Sequence, residues 1–355
     1  MKRTMQDYIQ ESAETCRRLL EDDALCAPVV DLCRQKKPET IWLVASGSSY
    51  NACVCAQPYM ERWMDSKVEL MTPFTALYYT PAIREDDLVL VITQSGLSTN
   101  AIAVLDSLQD RENVICLTGN RESDVKDHTA CVLEYGVGEE LVGYVTKGVS
   151  TLCLYLMRVA QIMADRPLEE FYTALETFRH TVTTTEGFVK RHFRALSSMQ
   201  TVYCLGAKNS AGVAMEAALK IGETVHVPAF FYEAEEFIHG PNLQLTPNYT
   251  MFFFDSNDRA SHRIQAIWES ACLISDRAYL ITMDPDRKDQ DNVLFMDPAV
   301  SPLFTSFAAL PFAQLVSAEI SGVLHSTMQH PLLKQFKEHT SAKTENFVNY
   351  DGDEA

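Results

Sequence analysis

Positive charge is scarce in this chain. Its 355 residues hold 30 Lys and Arg against 48 Asp and Glu, a formal net charge of −18. No basic face is expected to release counterions from nucleic acid or an anionic membrane, so neither is expected as a partner. A phosphate ester would also be repelled on average, so any phosphate site has to be local. The ten cysteines form no CxxC pair, which argues against zinc-ribbon and thioredoxin-type sites. Several instead lie in apolar runs, such as Cys116 in VICL and Cys204 in VYCLG, as small apolar filler does in a reducing compartment. An apolar leader is missing as well: MKRTMQDYIQESAE is polar, export is not indicated, and a cytoplasmic location is expected. There is no low-complexity tract and no long run of charge. The longest apolar stretch, residues 303–324, is interrupted by Pro311, Gln314 and Glu319 and lacks a basic flank. It is expected to be a buried helix rather than a membrane span.

What remains is ordinary globular material, 46% hydrophobic and 22% charged, in a length suited to two α/β units. Residues 1–40 read as a helical segment closed by Pro38. IWLVA is a short apolar run like a strand buried on both faces, followed by the turn GSSYN and a helical pattern. LVLVITQSG, NVICLTGN and ACVLEYG continue the alternation through about residue 165, predicting a parallel sheet with helices on both faces. The pattern then repeats over 201–325. VYCLGAKNSAGVAMEAALKIGE aligns with IWLVASGSSYNACVCAQPYMER, and NYTMFFFDSN aligns with DLVLVITQSG at the same offset. A shared offset argues for duplicated α/β units. Between them, within 166–200, Leu168, Phe171, Leu175, Phe178 and Val182 mark one amphipathic connecting helix. The tail, 326–355, has weak periodicity and is expected to be extended.

Two turns of the first unit carry candidate chemistry. GSSYN presents Ser48 and Ser49 above a strand end, and TQSGLST presents Thr93, Gln94, Ser95 and Ser98 before a helix. Backbone N–H groups at a helix start, with its dipole, can hold an anion without Lys or Arg. Either turn alone is an ordinary polar cap. Both at strand ends of one open sheet, where such sheets bind ligands, favour a phosphate site. The matching turn of the second unit, DSNDRA, has two acids where Gln and Gly stand in the first, so it should not bind phosphate. In that unit Glu216, Lys220 and Glu223 share one helix face. The plain reading of their spacing is a solvated face with a salt bridge. His239 precedes Gly240-Pro241 and belongs on a loop, where a lone histidine is usually surface decoration.

The ordered set GSSYN, Gln94-Ser95-Gly96, Thr146-Lys147, Glu216-Ala-Ala-Leu219-Lys220 with Glu223, and Glu236-Phe-Ile-His239-Gly240-Pro241 resembles the sugar isomerase (SIS) domain pair. That pair forms the isomerase half of glucosamine-6-phosphate synthase, and the match covers roughly residues 40–325. The resemblance implies two tandem flavodoxin-like α/β domains, with phosphate held at Ser48, Thr93, Gln94, Ser95 and Ser98. It implies Glu223 as the proton-transfer carboxylate, His239 as the ring-opening histidine serving a neighbouring subunit of a homodimer, and Lys220 as an active-site lysine. Glu140 matches a glutamate near the substrate. Lys147 matches the Thr-Lys pair, and Lys343 faintly echoes a C-terminal lysine loop. Leu97 departs from the family's turn, and no N-terminal cysteine glutaminase is seen. This combination resembles bacterial deglycases that split fructosamine 6-phosphates such as fructoselysine or glucoselysine 6-phosphate.

The expected reaction is a 1,2-proton shift and imine hydrolysis, needing an acid and a base but no metal and no organic cofactor. Glu223 is expected as base and His239 as acid, supported by Lys220 and Glu216. Deamination or isomerisation of glucosamine 6-phosphate uses the same proton shift. A non-catalytic phosphosugar sensor is the third possibility. The Glu223 and His239 pair speaks against it, as does the lack of a helix-turn-helix segment.

Overall fold

The computed structural model describes residues 3–79, 83–324 and 330–348. Apolar runs too short for helices become strands buried on both faces, and the amphipathic stretches between them become the covering helices. The chain opens with α1 (Met5–Glu21), started by a capping box between Thr4 and Asp7, and α2 (Ala27–Lys36). The first sheet is built from β1 (Thr40–Val44), β2 (Lys67–Met71), β3 (Leu88–Thr93), β4 (Val114–Thr118) and β5 (Val132–Glu134). Between and after these strands run α3 (Gly47–Trp63), α4 (Pro73–Tyr78), α5 (Thr99–Ser107) and α6 (Lys147–Met163).

The long connecting helix is α7 (Glu169–Leu196). The second half contains β6 (Thr201–Gly206), α8 (Ala211–Thr224), β7 (Ala229–Glu233), α9 (Ala234–Phe237) and β8 (Tyr249–Phe254). It continues with α10 (Ser261–Cys272), β9 (Ala278–Thr282), β10 (Val293–Phe295) and α11 (Thr305–Leu324). Its last described helix is α12 (Leu333–Thr340).

The two parallel sheets have one topology. The first runs β2-β1-β3-β4-β5, and the second, read from β7, runs β7-β6-β8-β9-β10. The aligned segments of the repeat are β1 with β6, α3 with α8, and β3 with β8, so the duplication reaches the level of strand order. β2, its counterpart β7 and the tail differ from the expectations above. β2 had not been expected, because KVELM alternates exposed and buried positions at a sheet edge. The tail is not simply extended, since it holds α12.

The halves are fused rather than tethered. The main hydrophobic cluster includes Leu43 of β1 and Phe252 of β8. α3 and α8 meet so closely that a Cβ on Gly212 would lie 2.5 Å from the backbone N of Cys55, and only glycine permits that approach. α7 spans the seam with its buried face, where Phe178 stacks on Phe307 of α11 at 5.1 Å. Among the described residues one stretch, Pro302–Leu324, is apolar and long enough to cross a membrane, and 72% of its window is buried in the protein.

Candidate active site

β3 delivers its chain into the turn 94–98. Gly96 takes φ +65°, and a Cβ there would lie 1.8 Å from Ser123 Oγ, so only glycine fits the bend. Thr93 Oγ1 donates to Ser98 Oγ at 3.3 Å, and Leu97 N donates to Ser95 Oγ at 3.3 Å. The tail lies across this turn. Lys343 pairs with Ser98 as an antiparallel bridge, and its Nζ donates to Ser95 Oγ at 3.1 Å and Ser98 Oγ at 3.0 Å. Thr99 N, one of the helix-start amides, donates to Ala342 O at 3.3 Å. The candidate anion site is therefore not cation-free: an ammonium from the distant tail joins the hydroxyls. Much of the Lys343 side chain faces solvent, yet protein packed round its Nζ pushes its pKa below the ordinary lysine value.

Gln94 has a different job from its neighbours. Its Nε2 donates to Glu140 Oε2 at 2.7 Å. The Glu140 carboxylate also accepts from the amides of Thr146 (2.8 Å), Lys147 (2.6 Å) and Gly148 (3.0 Å), capping the start of α6. Burial pushes its pKa up, and those amides pull it back only partly. Glu140 is thus occupied in fixing the loop and Gln94. Lys147 is drawn away from the phosphate turn. Its Nζ donates to Glu11 Oε1 at 2.8 Å and to the Glu139 carbonyl at 2.9 Å, over the Tyr8 ring. Lys147, expected among the phosphate- and substrate-binding residues through its match to the Thr-Lys pair, is engaged by α1 here.

The α8 charges are not a solvated face. Glu216 and Lys220 are fully buried. Ser48 Oγ accepts from Lys220 Nζ at 2.8 Å and donates to Glu216 Oε1 at 3.0 Å, and Asn51 Nδ2 donates to Glu216 Oε2 at 2.8 Å. The start of α3 thereby closes over α8, and Ser48 links the halves. Lys220 Nζ also reaches Glu223 Oε2 at 2.7 Å and Glu216 Oε1 at 3.4 Å. Burial raises the Glu216 pKa against the pull of Lys220. Burial also works against the Lys220 charge, but the two carboxylates outweigh it and leave the pKa above the ordinary lysine value. Glu223 alone of the three keeps solvent contact, with 34% of its side chain exposed.

One cavity of about 290 Å³ collects these groups: Ser48, Ser49, Thr93, Gln94, Ser95, Ser98, Lys343 and Glu223 all line it. Glu140 and Lys147 do not line it, and neither does His239, which is exposed just past α9 beside Glu235. In the second half the equivalent turn is already filled. The buried Asp255 carboxylate accepts from Ser261 Oγ (2.6 Å), Gln265 Nε2 (3.0 Å), Thr282 Oγ1 (3.0 Å) and Asn257 N (3.0 Å). A protein carboxylate thus takes the donors that an anion would need. Asn51 was quoted in its motif but given no role, because nothing local in the sequence aims it at Glu216. Among the described residues no group of three or more His, Cys, Asp or Glu is arranged to hold a metal ion.

The model of the SIS domain matches residues 35–161 and 195–272. The chain belongs to the SIS domain family. The aminotransferase [isomerizing] acting on glutamine and fructose 6-phosphate from Sulfurisphaera tokodaii is 25% identical over 282 residues. That alignment takes in 78% of this chain and 46% of the relative. The SIS chain spans about half the length of the curated relatives it matches. Among solved structures, a candidate phosphosugar isomerase from Clostridium difficile 630 superposes with TM-score 0.84 at 24% identity, covering 97% of this chain and 100% of that one. The C-terminal domain of glucosamine-fructose-6-phosphate aminotransferase from Francisella tularensis gives TM-score 0.77 at 19% identity, covering 93% and 99%. These likenesses carry the fold.

Proposed function

We propose that this SIS protein splits a fructosamine 6-phosphate into a hexose 6-phosphate and an amine. One observation carries the reading: the partly exposed carboxylate of Glu223 shares a cavity with the hydroxyls and ammonium of the 93–98 turn and tail. A ligand anchored there by its phosphate brings its other end to a base. Lys220, held charged by Glu216 and Glu223, fixes the Glu223 carboxylate in place.

In the open-chain 1-amino-2-ketose, Glu223 removes a proton from C1, the electron pair forms the C1–C2 double bond, and the C2 carbonyl π pair moves to its oxygen, which takes a proton from solvent to give an enaminol. Reprotonation at C2 shifts the double bond to C1 and nitrogen. Water adds to C1, the C1–N bond breaks, and the amine leaves with a proton while the aldehyde of the hexose 6-phosphate remains. His239, exposed and outside its own chain's cavity, acts in ring opening at the site of a second subunit in a homodimer. Substrate, homodimer and a cytoplasmic setting belong together in this proposal.

The test is product analysis. Incubation with fructoselysine 6-phosphate should release lysine and glucose 6-phosphate in equal amounts. Ammonia from glucosamine 6-phosphate with none from the fructosamine would make the chain a deaminase-type isomerase instead. Binding of both without turnover would make it a sensor.

A further inference from the structure

A second cavity adjoins the one at Glu223. A groove of about 310 Å³ shares Ser46 and Gly47 with it and is walled by Tyr50, Met215, Leu219 and Phe231. The rest of its lining, Asn51 and Thr72, is uncharged. Neither Ser95, Ser98 nor Lys343 touches it, so it lies clear of the anion end.

α8 joins the two spaces. Met215, Leu219 and Glu223 recur every four residues and so share one stripe of the helix. All three are half-buried; of the residues between them Gly222 is exposed and Glu216, Ala217, Ala218, Lys220 and Ile221 are buried. Along the axis Leu219 lies about 6 Å and Met215 about 12 Å from Glu223. A group attached to the reacting end of a phosphosugar would pass over Gly47, which has no side chain to obstruct it: a Cβ there would meet nothing within 4 Å.

We infer that the leaving amine carries an uncharged, apolar or aromatic substituent, seated in the groove of Tyr50, Met215, Leu219 and Phe231. The inference rests on the amino-sugar phosphate reading of the neighbouring cavity and names its substrate class. A charged substituent would give up water there for no partner, since no ionised side chain among the described residues lines the groove. An apolar one gains by contact, about tenfold in kcat/KM for each methylene seated against such a wall.

The experiment compares kcat/KM for amine release from three fructosamine 6-phosphates: one made from isoamylamine, one from the ε-amine of lysine, and one with an unsubstituted nitrogen. The isoamyl compound should lead both others by about tenfold or more. Phe231→Ser and, separately, Met215→Gln should bring that ratio close to one; if either variant fails to fold, the other carries the measurement. Preference for the lysine or unsubstituted compound would overturn the inference and leave the proposed reaction standing. A ratio unchanged in folded variants would also overturn it. So would a variant that loses its dimer in sedimentation while keeping the ratio, since a second copy would then be the occupant. Release of amine from none of the three would overturn the proposed reaction, and this inference with it.

Discussion

Lys220 Nζ lies 2.7 Å from Glu223 Oε2, and the lysine is sealed in the protein while the glutamate reaches the cavity. The ammonium is therefore a buried strut behind a carboxylate that faces the cavity. Glu216 stands on its far side, also sealed, and would be an uncompensated charge without it.

Removing that strut should be costly in a specific way. Lys220→Met leaves the Glu216 carboxylate buried with only Ser48 and Asn51 as donors. Loss of one partner of such a pair costs about 3–5 kcal/mol. Glu216→Gln added to Lys220→Met removes the orphaned charge and should recover most of the loss. Denaturant midpoints of the two single variants and the double variant decide it. Simple addition of the two losses would show that the pair is not coupled.

Lys147 should matter for stability and not for phosphate. Burial alone would push the Glu11 pKa up, but hydrogen bonds from Lys147 and Arg3 outweigh it and hold the group below its ordinary 4.5. A depressed carboxylate contributes stability that is complete above its unfolded pKa and is lost as pH falls through the folded one. Lys147→Met should lower stability by about 1–3 kcal/mol at neutral pH, with the gap from wild type narrowing on acidification below about pH 4.5. Affinity for a sugar 6-phosphate should not change. A clear loss of affinity at normal stability would return Lys147 to the binding site.

What could be read from the sequence follows from what burial leaves visible. β3 and β4 are buried at every position, and their unbroken apolar runs stand out; so does the duplicated β1-α3 and β6-α8 pattern. β2 hides because Lys67 and Glu69 point outward from an edge strand. The site residues were legible as types but not as partners. Helix spacing puts Glu216 and Lys220 on one face, but only Ser48 and Asn51, brought in from the other half, turn that face inward. Lys147 shows the reverse case. Its motif sits near the cavity in sequence, and its ion-pair partner is in α1.

The two turns should separate in an anion soak. Sulfate should appear against Ser95, Ser98 and Lys343 and not at 255–260, where Asp255 already takes the donors. Lys343→Met should weaken sugar-phosphate affinity by about tenfold, the size of one hydrogen bond to a charged group. Because the Lys343 pKa is lowered, wild-type affinity should fall as pH rises while ordinary lysines are still charged, below about pH 10.4. Lys343→Met should lack that fall. Sulfate at the second turn alone would reverse the roles of the halves.

The division of labour between Glu223 and His239 can be tested by mixing. Glu223→Gln keeps the shape and hydrogen bonding of the side chain but cannot accept a proton. It should lower turnover by about two to four powers of ten while sugar-phosphate affinity and melting temperature stay near wild type. His239→Ala should also be poorly active, although His239 does not line the cavity of its own chain. If each histidine serves the opposite site of a two-fold dimer, a mixed dimer of the two variants contains one site with both defects and one with none. Random pairing makes about half the dimers mixed, so an equal mixture should regain about a quarter of wild-type activity once subunits have exchanged. Exchange is checked independently by mass tagging, and the separate variants supply the baseline. Exchange without recovery would mean that both groups act within one chain. The exposed loop after α9 would then have to fold inward to reach Glu223, and the dimer would have no part in the chemistry.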